Sequence, residues 1–514
     1  MQKKNLFASA ILMLCTLFVF TGCKEVMSSL DNPVDSYFKL TETSTKIYRG
    51  QSYQIKFTAI SDAKPIFKSS DEKIALVDEN GVVTGANRGT AKISVELPAT
   101  DYYNGASAEF TVEVDALLNL PLDAKELALN EEYNLGVTSV STGAITYKSS
   151  DTKVATVDAD GNVTAKGYGD ATITISIAAT PEYDRTETAE FAAKVRVFDF
   201  ASLKAYCTSP SVEEPYVILA DNASIVFNSD LNVNGKKYVT IKGNKKKPAK
   251  LSFSASKSIV IDGGFTLAYV DIDATGSSHI IKGYKETTKE KVSDYIIVKE
   301  PVLIEGVMVK NLQKAFFYDN DAPFFFEKFT INDCLVSLKK EGNVTINFNK
   351  SMAGVFTLSN STFSVSDTSG EKNFIALNGS NRPWQVTGYA GESKLVCDHN
   401  TFYNVAKVKQ FLNSNSLKGQ SQYTYHMSSN IFVDSFNKKI YEKMTNDKAT
   451  QVVDDGLNTY WYNNETFSET KYKNAKEGLK TNPNFKDAAN GIFVPQGADQ
   501  VANQTGDPRW YEAN

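Results

Sequence analysis

The chain has 514 residues, 42% of them hydrophobic and 22% charged, with 55 Lys+Arg against 60 Asp+Glu. That length allows about three domains, and a formal charge of −5 excludes a chain that coats nucleic acid by charge. Five cysteines with no C-x-x-C pair, and three scattered histidines, argue against a zinc or redox centre, so no metal ligand is assigned.

Residues 1–22 read as an export leader. Lys3 and Lys4 supply the positive start, Leu6 to Phe20 the apolar run, and Thr21-Gly22 the small residues before Cys23. The apolar run is about fifteen residues, short of the roughly twenty that a spanning helix needs. Val-Phe-Thr-Gly-Cys over Val19 to Cys23 is a lipobox, which predicts cleavage before Cys23 and lipid on that residue. Residues 23–36 then form a lipidated tether. Loss of a leader with two lysines and no acid takes the charge from −5 to −7. Lys24-Glu25 resembles the surface-export signal of lipoproteins in glycan-foraging Bacteroidota. The resemblance implies an outer-membrane protein, exposed at the cell surface and attached to the membrane through its lipid anchor.

Next comes a duplication. Lys68-Ser69-Ser70-Asp71 recurs as Lys148-Ser149-Ser150-Asp151, and Gly81, Val83, Thr84 and Gly89 recur as Gly161, Val163, Thr164 and Gly169, always 80 residues on. Asp78-Glu-Asn-Gly81 and Asp158-Ala-Asp-Gly161 are hairpin turns, and runs such as Ala171 to Ile177 alternate with the period of half-buried strands. The shared pattern resembles the group 2 bacterial immunoglobulin-like domain. It implies two β-sandwiches, at 37–115 and 116–198, serving as spacers, with adhesion as the alternative.

From about residue 200 a hexad recurs: Leu267 to Ile272, Ile304 to Val309, Ile331 to Val336, Leu358 to Phe363, Cys397 to Phe402 and Met427 to Phe432. The intervals of 27 to 39 residues predict a parallel β-helix, with a fixed corner and loops of free length. Ile272, Val309, Val336, Phe363, Phe402 and Phe432 then stack inside. Asn400 and Asn430 bond turn backbone at the corner, and Cys334 is a buried thiol. The assignment is a right-handed parallel β-helix over 199–440, with terminal coils and a cap over 441–514, making the mature chain all-β. Asn458 to Tyr462, Asn482 to Asp487 and Gly506 to Trp510 resemble the last coils and cap of pectate-lyase-like β-helix lipoproteins. Those accompany polysaccharide-utilisation systems and are mostly of uncharacterised activity, so the resemblance implies fold and context more than chemistry.

No catalytic residue is assigned. Lysis of a polyuronate uses an Arg or Lys base and carboxylates that hold calcium, and residues 200–514 contain only Arg382 and Arg509. Calcium belongs to the lyase alternative alone; otherwise no cofactor is expected. Val396 to Asn400 is similar to an Ile-Asp-His segment of pectate lyases, but its positions are ordinary corners of the repeat. Asp271 and Asp273 face outward on one strand, as a solvated pair or as carboxylates for hydrolysis. Lys236, Lys237, Lys242, Lys245, Lys246, Lys247 and Lys250 form a charge run, read first as a solvated loop and second as a hold on a polyuronate. Arg382, Trp384, Tyr389, Tyr423 and Tyr425 are the carbohydrate-binding candidates, because aromatic rings accept the C–H faces of sugars while Arg bonds hydroxyls. The expected function is capture of a polysaccharide, a pectic one among the candidates, for a neighbouring outer-membrane glycan importer. A polysaccharide lyase or glycoside hydrolase on the same coil is the alternative, and an adhesin a third reading.

Overall fold

The computed structural model describes residues 33–511 apart from 278, 286–294, 341–343, 368–371, 415, 419, 443, 445–451 and 471–473. The leader, Cys23 and most of the tether therefore lie outside the described residues. Strands dominate, and the chain divides into two compact units, the tandem modules and the long C-terminal domain.

The two modules repeat one topology. In the first, Ser44–Tyr48, Ala106–Asp115, Gly89–Leu97 and Ile66–Ser69 form one sheet in that order; Ser52–Gln54, Val82–Gly85 and Ala75–Val77 form another. In the second, Ala124–Ala128, Glu187–Arg196, Gly169–Ile177 and Ile145–Ser149 take the first set of places; Glu132–Asn134, Asn162–Ala165 and Ala155–Val157 take the second. Alternation buries one face of each long strand: in Gly89–Leu97, Ala91, Ile93, Val95 and Leu97 are inside. The duplicated turn keeps the same backbone bonds to its aspartate. Asp78 Oδ1 accepts from the amides of Asn80 and Val82 at 2.9 and 2.8 Å, and Asp158 Oδ1 from those of Asp160 and Asn162 at 2.9 and 2.8 Å. Gly81 holds φ +76°, and a Cβ there would meet the Phe67 ring at 2.7 Å, so the turn requires glycine.

The C-terminal domain is a parallel β-helix, as the hexad predicted. Helix α1 (Phe200–Cys207), capped by the Asp199 carboxylate on the Ser202 amide at 2.8 Å, buries Phe200, Leu203 and Cys207 against the first coil. Among the described residues nine coils follow, each laying a strand on a first sheet and a strand on a second; seven of them add a strand to a third. Every pairing along these stacks is parallel except at the terminal Glu465–Thr466 strand. Ile272, Val309, Val336, Phe363, Phe402 and Phe432 pair in register on the second sheet, all at most 3% exposed. From Phe363 on the rings stack: Phe363–Phe402 at 5.8 Å, Phe402–Phe432 at 5.2 Å, and Phe432–Tyr460 at 5.8 Å. Tyr460 extends the stack into the last coil.

The fixed corner joins the first sheet to the second. Its third hexad residue is left-handed in every coil of the series: Tyr269, Gly306, Asp333, Asn360, His399 and Ser429 have φ between 49° and 60°. The next residue points inward and carries a ladder. Asn458 Oδ1 accepts from the Asn430 amide groups, Asn430 Oδ1 from those of Asn400, and Asn400 Oδ1 from the Ser361 backbone N–H; the Ser361 hydroxyl accepts from the Cys334 N–H. Side-chain amides thus satisfy backbone groups that a sharp buried turn would strand.

Candidate functional site

The outer face of the second sheet is open on its early coils and covered on its late ones. On coils two to five, Lys250, Asp271, Asp273, Met308, Lys310 and Ser337 point out from the strands, with Met308 40% exposed. The equivalent Thr362, Thr401, Ile431 and Thr459 are fully buried. Their cover is the tail. Running back from the last coil, it places Gln500 Nε2 on the Thr459 hydroxyl at 2.9 Å, the Gly506 amide on the Ser429 carbonyl at 2.7 Å and the Asp507 amide on the Thr401 hydroxyl at 3.1 Å. The Thr362 hydroxyl then donates to Asp507 Oδ2 at 2.7 Å and accepts from Trp510 Nε1 at 2.8 Å. Gly506 holds φ +85°, and a Cβ there would meet Thr401 Oγ1 at 2.7 Å, so the tail lies too close for any side chain.

Where the cover stops there is a groove of about 590 Å³. Its floor is the open strand face, and Asn490, Gly491 and Phe493 of the tail form its wall. A second hollow of about 490 Å³ adjoins it at the corner, sharing Asp271 and Met308 and bounded by Glu305, Asp333 and Arg509. Burial pushes the Asp271 carboxyl up, against Lys250 and Lys310. Asp273 is held down, first by the Thr275 hydroxyl at 2.6 Å and also by the Asn311 amide at 3.2 Å. Two outward carboxylates two residues apart are thus shifted in opposite directions, and both line the groove. Arg509 bonds Asp507 at 2.6 Å and Asp333 at 3.0 Å and pins the tail to the corner.

The carbohydrate-binding candidates named from the sequence do not gather here. Tyr423 and Tyr425 correct the expectation outright: both rings are fully buried in the coil, so neither offers a face to a sugar. Strand Thr424–Ser428, which follows Tyr423, places Tyr425 over Leu395 and Met427 over Cys397, all inward positions. Arg382 Nε donates to the Ser416 carbonyl at 2.9 Å, and Trp384, in the short turn Pro383–Gln385, is half-buried against the core. Tyr389 leans on Phe325 at 4.8 Å, and its ring fills the space over Gly354. These three brace a loop outside the groove. Of the lysine run, Lys236 donates to the carbonyls of Ser209 and Val212 at 2.6 Å, Lys237 meets Glu214 at 3.0 Å, and Lys247 meets Asp221 at 3.2 Å. Only Lys245 and Lys250 of that run reach the hollows. His399 is a corner residue with Nδ1 3.0 Å from Asp398, whose carboxylate accepts from the Ser428 hydroxyl at 2.5 Å. Among the described residues no group of three His, Cys, Asp or Glu is arranged to hold a metal ion.

Two families of unknown function match the β-helix. One domain of unknown function (DUF4957) matches residues 225–366 and another (DUF5123) residues 395–510. The intimin immunoglobulin-like domain matches residues 137–180, inside the second module. No curated protein matches the sequence. Solved structures with similarity include domains 4 and 5 of the S-layer protein SbsC, at 16% identity over 31% of this chain and 97% of that one, TM-score 0.13. Drosophila N-cadherin EC1-3 is 10% identical over 32% of this chain and 68% of that one, TM-score 0.14. An endo-fucoidan hydrolase of glycoside hydrolase family 107 is 12% identical over 34% of this chain and 29% of that one, TM-score 0.15. At these scores none of the three bears on what this chain does.

Proposed function

We propose that this chain is a lipid-anchored surface protein whose β-helix captures a polysaccharide in the groove on its second sheet. The observation that carries the reading is the groove itself: a concave strip across several coils, walled by the tail, with an apolar floor at Met308 and Leu335 among hydroxyls and charged groups. Polymers of sugar need such a mixture, apolar surface for ring faces and polar groups at fixed spacing for hydroxyls. The immunoglobulin-like modules act as spacers above Cys23, and the captured glycan passes to a neighbouring importer in the outer membrane.

Two experiments test this. Cys23→Ala in the full chain should abolish labelling by a clickable fatty acid and release the protein from membranes; retained labelling would remove the anchor. On a glycan array the full chain should bind at least one polysaccharide family, and Ser337→Trp, which fills the groove from its floor, should abolish the signal. Binding unaffected by that block would place the site elsewhere.

A second reading is favoured by one arrangement: Asp271 and Asp273 both line the groove, two residues apart on one strand, burial raising the first carboxyl and hydrogen bonds lowering the second. A raised carboxyl acting as acid beside an ionised one acting as base is the arrangement of glycoside hydrolysis. New reducing ends that appear with the native chain and vanish in Asp271→Asn would replace capture by hydrolysis.

A further inference from the structure

Resting on the capture reading, we infer that the groove selects a neutral, hydroxyl-bearing glycan and rejects polyuronates. Three of the four cations lining the two hollows are already ion-paired with an acid of the same chain, and the fourth stands beside one in strand register. Lys310 lies 3.7 Å from Asp273, and Lys245 lies 3.4 Å from Asp333. Arg509 is held between Asp507 and Asp333. Lys250 pairs in register with Asp271 on the neighbouring strand. Against these four cations stand five acids, the fifth being Glu305.

A polyuronate carries one carboxylate on each sugar. To lie here it would have to compete with the acids already paired to Lys245, Lys310 and Arg509, and its carboxylates would meet Asp271, Asp273 and Glu305 within the screening distance of about 8 Å at physiological salt. A neutral sugar meets no such opposition. Its hydroxyls both donate and accept, so one ring can accept from a lysine ammonium and donate to the aspartate beside it. The alternation of Lys250, Asp271 and, one row over, Asp273, Lys310 supplies donor and acceptor side by side on neighbouring strands about 4.8 Å apart. Met308, Leu335 and Phe493 supply apolar surface for the ring faces. The lysine run that suggested a polyuronate site is directed mainly elsewhere, into backbone carbonyls and surface acids.

The test is affinity electrophoresis of the full chain in detergent, through gels containing β-1,4-galactan, xyloglucan or galactomannan, and through gels containing polygalacturonate or alginate. Each is run at about 20 mM and about 500 mM salt, which shortens the screening length several-fold. The inference expects retardation by at least one neutral polymer, changing less than about twofold with salt, and none by the acidic ones. Asp271→Asn with Asp273→Asn should weaken that retardation about tenfold, through loss of charge-assisted acceptors. Retardation by polygalacturonate or alginate that collapses with salt, and with Lys250→Gln plus Lys310→Gln, overturns the neutral assignment while leaving capture intact. Failure of every polymer in both classes overturns capture itself, and the assignment with it.

Discussion

The hydroxyl of Thr362 and the carboxylate of Asp507, 145 residues apart in sequence, meet at 2.7 Å beneath the tail, with neither residue more than 1% exposed. Thr362 stands on the outer face of the sixth coil, a position that is wet in a bare β-helix. Asp507 brings an ionisable group into that covered strip, where burial pushes its carboxyl up to about 6, against the opposing pull of Arg509.

This pair makes the tail sensitive to pH. A carboxyl raised above its ordinary 3.8 favours the folded state at low pH, and that contribution is lost as pH rises through about 6. Asp319, buried with its carboxylate on the amides of Lys350 and Ser351, is likewise pushed up to about 6 by burial. Both shifts have the same sign. The thermal midpoint of the β-helix should therefore fall between about pH 4 and about pH 6 and level off above, and Asp507→Asn should flatten the fall. A midpoint that rises over this range in calorimetry would contradict the assignment.

Phe402 sits between Phe363 and Phe432 with ring planes 14° and 5° from parallel. Phe402→Ala should cost about 3–5 kcal/mol in denaturant unfolding, because neighbours held in register by strand pairing cannot close the cavity. A loss below about 1 kcal/mol would mean that the coil relaxes freely.

Asn430 receives from both amide groups of Asn400 at 3.0 Å and donates to the Cys397 carbonyl and Asn458 at 2.8 and 2.9 Å. Asn430→Ala strands these partners where water does not reach, at a cost of roughly 2–3 kcal/mol. Asn430→Asp should be worse near neutral pH, since a buried carboxylate offers no donor to the Cys397 carbonyl. Equal stability of the two variants in urea would argue against a buried ladder.

Cys207, Cys334 and Cys397 are buried and free. Burial pushes Cys207 and Cys334 up to about 12 and Cys397 well above its ordinary value. Iodoacetamide near neutral pH should label none of them in the native chain and all three after unfolding, because the thiolate is the reactive form. Native labelling, read by mass spectrometry, would show that a coil opens.

The coil was legible because its period is written in the inward residues. A β-helix tolerates any loop length but not a change of inward parity, so Ile272 through Phe432 could be aligned across intervals from 27 to 39 residues. The same parity condemns Tyr425, two residues before Met427 and hence inward, a signal present in the sequence that composition around Tyr423 and Tyr425 obscured. Asp271 and Asp273 were visible as an outward pair. What sequence could not supply was the wall, since Phe493 lies 220 positions beyond Asp273 and no local pattern says which strand face a tail will cover. Arg382 and Trp384 looked exposed in an irregular loop because a loop's hydrogen bonds, such as that to the Ser416 carbonyl, leave no trace in spacing.

The floor of the groove begins near Ser224 and its wall is supplied near Phe493. The residues of the floor are synthesised first and those of the wall last. The wall arrives only when the tail has turned back over coils already formed. A polypeptide clipped before residue 490 would therefore stack its coils with one flank bare and have a strand face without its wall.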